Sequence, residues 1–279
     1  MKLTHALIPT SILGLLLISF ACKKNDTTPA TDTNTPYVGL TVEKSTTDAL
    51  MDDVFGEIMV ANQTNGLTNQ PTSPNAVCYT VGITPTDPTV WPKTVTVDYG
   101  TTGCTGLSGY THKGKIVYTI TSKFLTTGAT ITATFQNFSV NDYKIEGTYS
   151  ITNNGSANGW NLTDQLNGGK VTYPDGVTWY TKSGTRTWVQ TTGAATPTNL
   201  LDDEYDITGS GTIASSAGNT LTGTTNTPLH RLATCRNTVS GKLDLLYNNV
   251  AAQLDYGAGT CDAVATLTIG SKNYTVTLP

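Results

Sequence analysis

The clearest chemical signal in this chain of 279 residues is the spacing of four of its cysteines. Cys78 and Cys104 are 26 apart, and so are Cys235 and Cys261; the same offset of 157 carries Asp98-Tyr99-Gly100 onto Asp255-Tyr256-Gly257. Five matching positions in one register mark a duplicated module, about 76–121 and 233–278. Each copy reads as a cysteine, a strand, a turn, a strand ending in Asp-Tyr-Gly, a short loop and a second cysteine. In the second copy Asn248-Asn249 offers a two-residue hairpin turn, and reflection about it sets position 235 opposite 262, beside Cys261. In the first, the loop Pro85 to Pro92 takes the place of the turn and brings Cys78 near Cys104. The spacing therefore predicts disulfides Cys78–Cys104 and Cys235–Cys261, which leave none of the four as a thiolate nucleophile.

Other candidates for chemistry are sparse. His112 and His230 have no neighbour at zinc-ligand spacing and are expected to decorate strands or loops. There is no Gly-x-Ser-x-Gly elbow and no phosphate-binding glycine loop. The run Asp202-Asp203-Glu204 with Asp206 reads as a solvated strand edge, and Asp255 to Asp262 as a turn whose aspartates bond nearby amides, rather than as calcium sites. No catalytic residue, cofactor or metal ligand set is assigned. The aromatics remain: Trp160, Trp179, Tyr180 and Trp188 are the candidates for stacking on a sugar ring. Trp179 and Tyr180 are consecutive in a strand and point to opposite faces, while Arg186 and Trp188 share one, in reach of a cation–π contact.

The elements that must position these residues are strands. Ile116, Tyr118 and Ile120 alternate with polar residues, as do Tyr143, Ile145, Tyr149 and Ile151, the period-two mark of half-buried antiparallel strands. Turn residues fall at Asn141-Asp142, Asn153-Asn154-Gly155, Pro174-Asp175-Gly176, Gly218-Asn219 and Gly270-Ser271. The expected fold is all-β: an antiparallel meander forming a curled sheet, open barrel or sandwich. One segment differs. From Ser45 to Asn62, Leu50, Val54 and Ile58 recur every four residues behind a Ser45 or Thr46 cap, which predicts one amphipathic helix packed on the sheet.

Residues 1–21 have the pattern of a secretory signal: Lys2, an apolar run from Ala6 to Phe20, and a small residue, Ala21. Cys22 follows, with Ser19 where the common lipobox has Leu, and this loose box resembles that of Bacteroidota lipoproteins; the resemblance implies lipidation of Cys22. Residues 22–40 hold the Thr-, Asp-, Asn- and Pro-rich tract Thr27 to Pro36, which predicts a disordered tether, and 41–279 a single β domain. Charged residues are 13% of the chain, about half the usual share. Without residues 1–21, which hold Lys2 alone among charged residues, the net charge is −5. That acidic balance argues against nucleic-acid binding. With its Thr/Gly-rich meander and Asp-Tyr-Gly before a cysteine, the chain resembles uncharacterised β-rich lipoproteins of Bacteroidota. The likeness implies an outer-membrane lipoprotein of the cell envelope, periplasmic or surface-facing, and carries no activity. The leading expectation is a non-enzymatic protein that binds a glycan or protein partner or has a structural part in the envelope. A half-barrel carrier of a lipid or other hydrophobic ligand comes second, and a glycan-active hydrolase third.

Overall fold

The computed structural model describes residues 34–68, 78–106, 108–155, 159–196 and 199–279, apart from the side chain of Leu200. The signal segment, Cys22 and the tether up to residue 33 lie outside the described residues. One helix, α1 (Thr35–Thr64), precedes fourteen strands. These are β1 (Thr80–Thr84), β2 (Lys93–Asp98), β3 (Cys104–Thr105), β4 (Thr111–Ile120), β5 (Thr130–Val140), β6 (Tyr143–Asn153) and β7 (Asn161–Thr172). They continue as β8 (Trp179–Thr192), β9 (Glu204–Ser215), β10 (Thr220–Leu232), β11 (Ser240–Tyr247), β12 (Val250–Ala258), β13 (Val264–Ile269) and β14 (Lys272–Thr277). All belong to one antiparallel sheet in the order of the chain, with β3 paired only to β4, and the sheet ends at β1 and β14. The expected meander is present as a single curled, open sheet.

Alternation places the large residues as expected: Ile116, Tyr118 and Ile120 in β4 and Ile145, Tyr149 and Ile151 in β6 are all buried. The sheet curls because its strands are bulged. Register shifts occur in β4 between Lys113 and Lys115, in β6 between Glu146 and Thr148, in β7 between Leu166 and Gly169, and in β11 between Ser240 and Lys242. Backbones come close at these sites. A Cβ on Gly147, whose φ is 122°, would lie 2.8 Å from Gly169 Cα, and one on Gly209 would run into the Thr185 carbonyl and Arg186 Cα of β8. Only glycine permits such an approach, and each extra residue adds bend and twist to its strand.

The concave side of the curl is filled by α1. Nineteen of its 30 residues are buried, far more than one apolar stripe supplies. Leu50, Val54, Phe55 and Ile58 pack with residues of β2 to β9, while Tyr37 and Leu40 pack with Leu221, Leu243, Leu254 and Leu267 of β10 to β13. The helix is longer than expected. It begins at Thr35, so residues 35–40, read as tether, form its first turns: Tyr37 is 2% exposed and Leu40 6%. Ser45 and Thr46, read as the cap, lie inside the helix, where their hydroxyls donate to the carbonyls of Thr41 and Val42, each at 3.0 Å. The far end closes as a Schellman turn. Gly66 has φ 68°, Leu67 N–H donates to Asn62 O at 2.9 Å, and the Leu67 side chain is buried.

The duplicated modules are alike in detail. Cys78 pairs with Cys104 and Cys235 with Cys261, with Cα–Cα separations of 5.6 and 5.8 Å. Asp98 accepts from the Gly100 amide and Asp255 from the Gly257 amide, both at 2.9 Å, and Lys115 and Lys242 pair with those same aspartates. Both tyrosines turn inward: Tyr99 donates to Glu57 at 3.0 Å, and Tyr256 bonds to Ser45. The two modules therefore grip α1 twelve residues apart, about 18 Å along its axis. Leu40→Ala tests whether the first turns of the helix belong to the core. It should lower the unfolding free energy by about 2–4 kcal/mol in urea titration, and unchanged stability would place residues 35–40 outside the folded unit.

Candidate functional site

Burying α1 on most of its sides buries its charges, and the sheet supplies their partners. Lys44, Asp48 and Asp52 are spaced by four and share a face. Asp48 pairs with Lys44 at 2.7 Å and with Lys182 of β8. Asp52 pairs with Arg186 of β8 at 2.5 Å and Arg231 of β10 at 3.0 Å. Arg186 also reaches Asp164 of β7 at 2.7 Å, and Asp164 accepts from Tyr149 Oη at 2.6 Å and Trp188 Nε1 at 3.0 Å. Burial alone would lower the Arg186 pKa; Asp164 and Asp52 reverse that and push it well up. Burial opposes ionisation of Asp48 too, but Lys182, Lys44 and Arg186 together hold its carboxyl far below the usual range. The pKa of the partner ammonium of Lys182 is lowered as well, because burial and like charges outweigh Asp48.

Beside this layer a pocket of about 500 Å³ opens onto the helix. Its floor is a stripe of α1, with Ala49, Asp53, Gly56 and Val60 at helical spacing. One wall is aromatic. Phe55 and Trp188 stack with ring centroids 4.5 Å apart and planes 10° from parallel, and Tyr205 lies 5.9 Å from Trp188 and 6.4 Å from Trp160. The rim combines Ser108 and Tyr110 with Arg231 and Arg236, and the Arg236 guanidinium sits 4.2 Å from the Tyr110 ring. Nothing stands within 4 Å of a Cβ built on Gly56, so the floor is open there.

The four aromatic candidates divide. Trp160 and Trp188 come together in the pocket wall, and Arg186 makes the expected cation–π contact with Trp188 at 5.0 Å. Trp179 and Tyr180 are at the other end of β8, about 30 Å along the strand from Trp188. There Lys170 lies over Trp179 at 4.9 Å and Tyr180 packs on Tyr173 at 5.6 Å. They share no site with the other two.

A second set of residues, of which Asp53, Glu57 and Ser108 line the pocket, has no counterpart among the expected sites. Asp53 and Glu57 are one turn apart on α1, and His112 faces them from β4, all three buried. His112 Nε2 lies 2.5 Å from Asp53 Oδ2, Ser108 Oγ donates to Asp53 Oδ1 at 2.5 Å, and Tyr99 Oη donates to Glu57 Oε2 at 3.0 Å. His112 Nδ1 makes no well-formed hydrogen bond and is turned toward the Cys104 backbone. Burial would lower the His112 pKa, but the bond to Asp53 and the charges of Asp53 and Glu57 raise it; burial raises that of Glu57 against the pull of His112. Serine, aspartate and histidine meet here in the wrong order for a hydrolase. The hydroxyl is bonded to the carboxylate and not to the imidazole, so His112 is not placed to take its proton.

His112, expected on a strand or loop surface, is instead fully enclosed, because β4 turns it toward the helix. The acidic run also departs from a solvated edge. Asp203 is 4% exposed at the pocket, accepting from Gln190 at 2.7 Å and Tyr205 at 2.8 Å, and burial raises its pKa. Asp206 and Glu204 meet His230 at 2.8 and 3.4 Å on a more open face. Comparison with protein families, curated proteins and solved structures finds no match for the chain. The site therefore rests on its own geometry.

The Asp48 environment gives stability a pH dependence. Its folded pKa is depressed, so its contribution is complete above the unfolded value of about 3.9 and declines as pH falls below that. Asp48→Asn should cost about 3 kcal/mol at pH 7, by leaving Lys182 and Lys44 without their carboxylate. It should also flatten the fall of Tm between pH 5 and pH 2. Parallel wild-type and variant curves over that range would show that Asp48 carries no linked stability.

Proposed function

We propose that this chain is a lipid-anchored envelope protein whose β domain binds a glycan fragment in the pocket beside α1. One observation carries the reading: a preformed pocket of about 500 Å³, aromatic on one wall and charged on another, within the usual size range of small-ligand sites. Flat rings suit the apolar face of a sugar, and the carboxylates, arginines and Ser108 suit its hydroxyls. Gly56 supports the same view. Glycine inside a helix costs about 1 kcal/mol relative to alanine, and its position on the open floor gives that cost a reason, since any side chain would fill the pocket. The carrier reading has less support, because α1 fills the concave side of the sheet and a hydrophobe would have to enter a pocket that Asp53, Glu57, Asp203, Arg231 and Arg236 also line. The hydrolase reading has less still, because both Asp53 oxygens already accept short hydrogen bonds.

Gly56→Phe tests the reading without disturbing the core, since open space surrounds the position. Its melting temperature should stay within a few degrees of wild type, while calorimetric binding of envelope oligosaccharides falls at least tenfold. Oligosaccharide binding that survives the substitution would remove the pocket from the function, and lipid co-purifying with wild type but not with Gly56→Phe would favour the carrier.

The anchor is proposed from the sequence around Cys22. Among the described residues no helix is long and apolar enough to cross a membrane. Cells fed labelled palmitate should label the wild-type chain and not Cys22→Ala, and the variant should leave the membrane fraction. Equal labelling of both would end the lipoprotein reading.

A further inference from the structure

We propose that Asp53, Glu57 and His112 form a site for one divalent transition-metal ion, with zinc the representative, open toward the pocket. Their candidate ligand atoms all lie within 4.8 Å of one another. Two carboxylates one helical turn apart and an imidazole from the facing strand make a three-donor set of the composition that suits zinc or manganese. Calcium and magnesium prefer more oxygen donors and suit the set less well.

Three further features fit an ion. The outer oxygens are already oriented, since Ser108 holds Asp53 Oδ1 and Tyr99 holds Glu57 Oε2, so that Glu57 Oε1 and Asp53 Oδ2, whose bond to His112 an ion would replace, face the centre. The space is kept clear by Gly106, where a Cβ would strike Glu57 Oε1 and stand 3.0 Å from His112 Cε1. Asp53 and Glu57 line the pocket, so a fourth position can be taken by water or a ligand group from that side. The adjustment needed is small. Two ligands bonded at about 2.05 Å at the tetrahedral angle are roughly 3.3 Å apart, so the His112–Asp53 contact of 2.5 Å has to widen by less than 1 Å and donor separations of up to 4.8 Å have to close by up to about 1.5 Å. The cluster of His230, Asp206 and Glu204 is the control, being more exposed and less gathered.

The test is calorimetric titration of the folded chain, first freed of metal with a chelator, using zinc chloride and then magnesium chloride. Zinc should bind with one equivalent at micromolar Kd or tighter and raise Tm, while magnesium gives no comparable heat. Glu57→Gln, which keeps the shape and can still accept from Tyr99, should weaken zinc at least tenfold, whereas His230→Ala should leave the affinity unchanged. Cobalt(II) bound to the wild type should show the visible bands of a four- or five-coordinate site, a readout that needs no variant to fold. No zinc binding, binding lost in His230→Ala but kept in Glu57→Gln, or a six-coordinate cobalt spectrum would each overturn the proposal. Oligosaccharide binding measured on the metal-free chain reports on the pocket separately, so either reading can fail without the other.

Discussion

Everything in this fold depends on how a 30-residue helix with a charged stripe can sit inside a single sheet. An unpaired charge taken out of water costs several kcal/mol, so each carboxylate that α1 carries inward needs a partner from the wall. β8 supplies two of them, Lys182 and Arg186, four residues apart and therefore on one face of the strand. Arg231 arrives from β10 and His112 from β4, on opposite sides of β8 in the sheet. The matching of Asp48, Asp52 and Asp53 to those four residues specifies where along its axis, and at what rotation, the helix lies. A slide of one turn would not preserve the pairing: in one direction Gly56 would take the place of Asp52 against Arg186 and Arg231, and in the other Lys44 would take the place of Asp48 against Lys182.

The curl of the sheet is the other half of that arrangement. A flat meander of this many strands would leave α1 half exposed. Bulges at Gly114, Gly147, Gly168 and Gly241 bend the strands, and the close backbone approaches at Gly147 and Gly209 allow the bends to stack from strand to strand. The disulfide modules then hold the two ends. Each directs a tyrosine onto the helix, Tyr99 at Glu57 and Tyr256 at Ser45, so a duplicated sequence has become two clamps at different heights on one axis.

Much of this was legible. Period-two alternation located β4 and β6, the offset of 157 marked the duplication, reflection about each module's turn gave both cysteine pairs, and Asn248-Asn249, with φ values of 48° and 62°, forms the hairpin turn read from its residue types. The helix was found from Leu50, Val54 and Ile58 but its first turns were missed, because Pro36 and the polar residues around it look like tether, and Ser45-Thr46 looks like a cap. Inside a sheet that covers most sides of the helix, those hydroxyls satisfy themselves on the preceding turn. The site was hidden for a related reason. Asp52, Asp53 and Glu57 occupy what hydropathy reads as a solvent face, and nothing in one sequence says that a second wall covers it. The available hint was the spacing: carboxylates at 48, 52, 53 and 57 on a helix with Lys44 as its only basic residue require cations from elsewhere.

The pocket then follows from where the covering stops. Along the stripe Ala49, Gly56 and Val60 the sheet does not close over α1, and the loops before β4 and after β10 meet across the opening through Tyr110 and Arg236. A helix buried for stability alone would be covered there by one more apolar contact, and a residue larger than glycine at 56 would provide it without a clash. The opening therefore separates two demands on the same helix. One face is locked by charge to the wall, and the face at Gly56 is left clear, with Asp53 and Glu57 between them belonging to both.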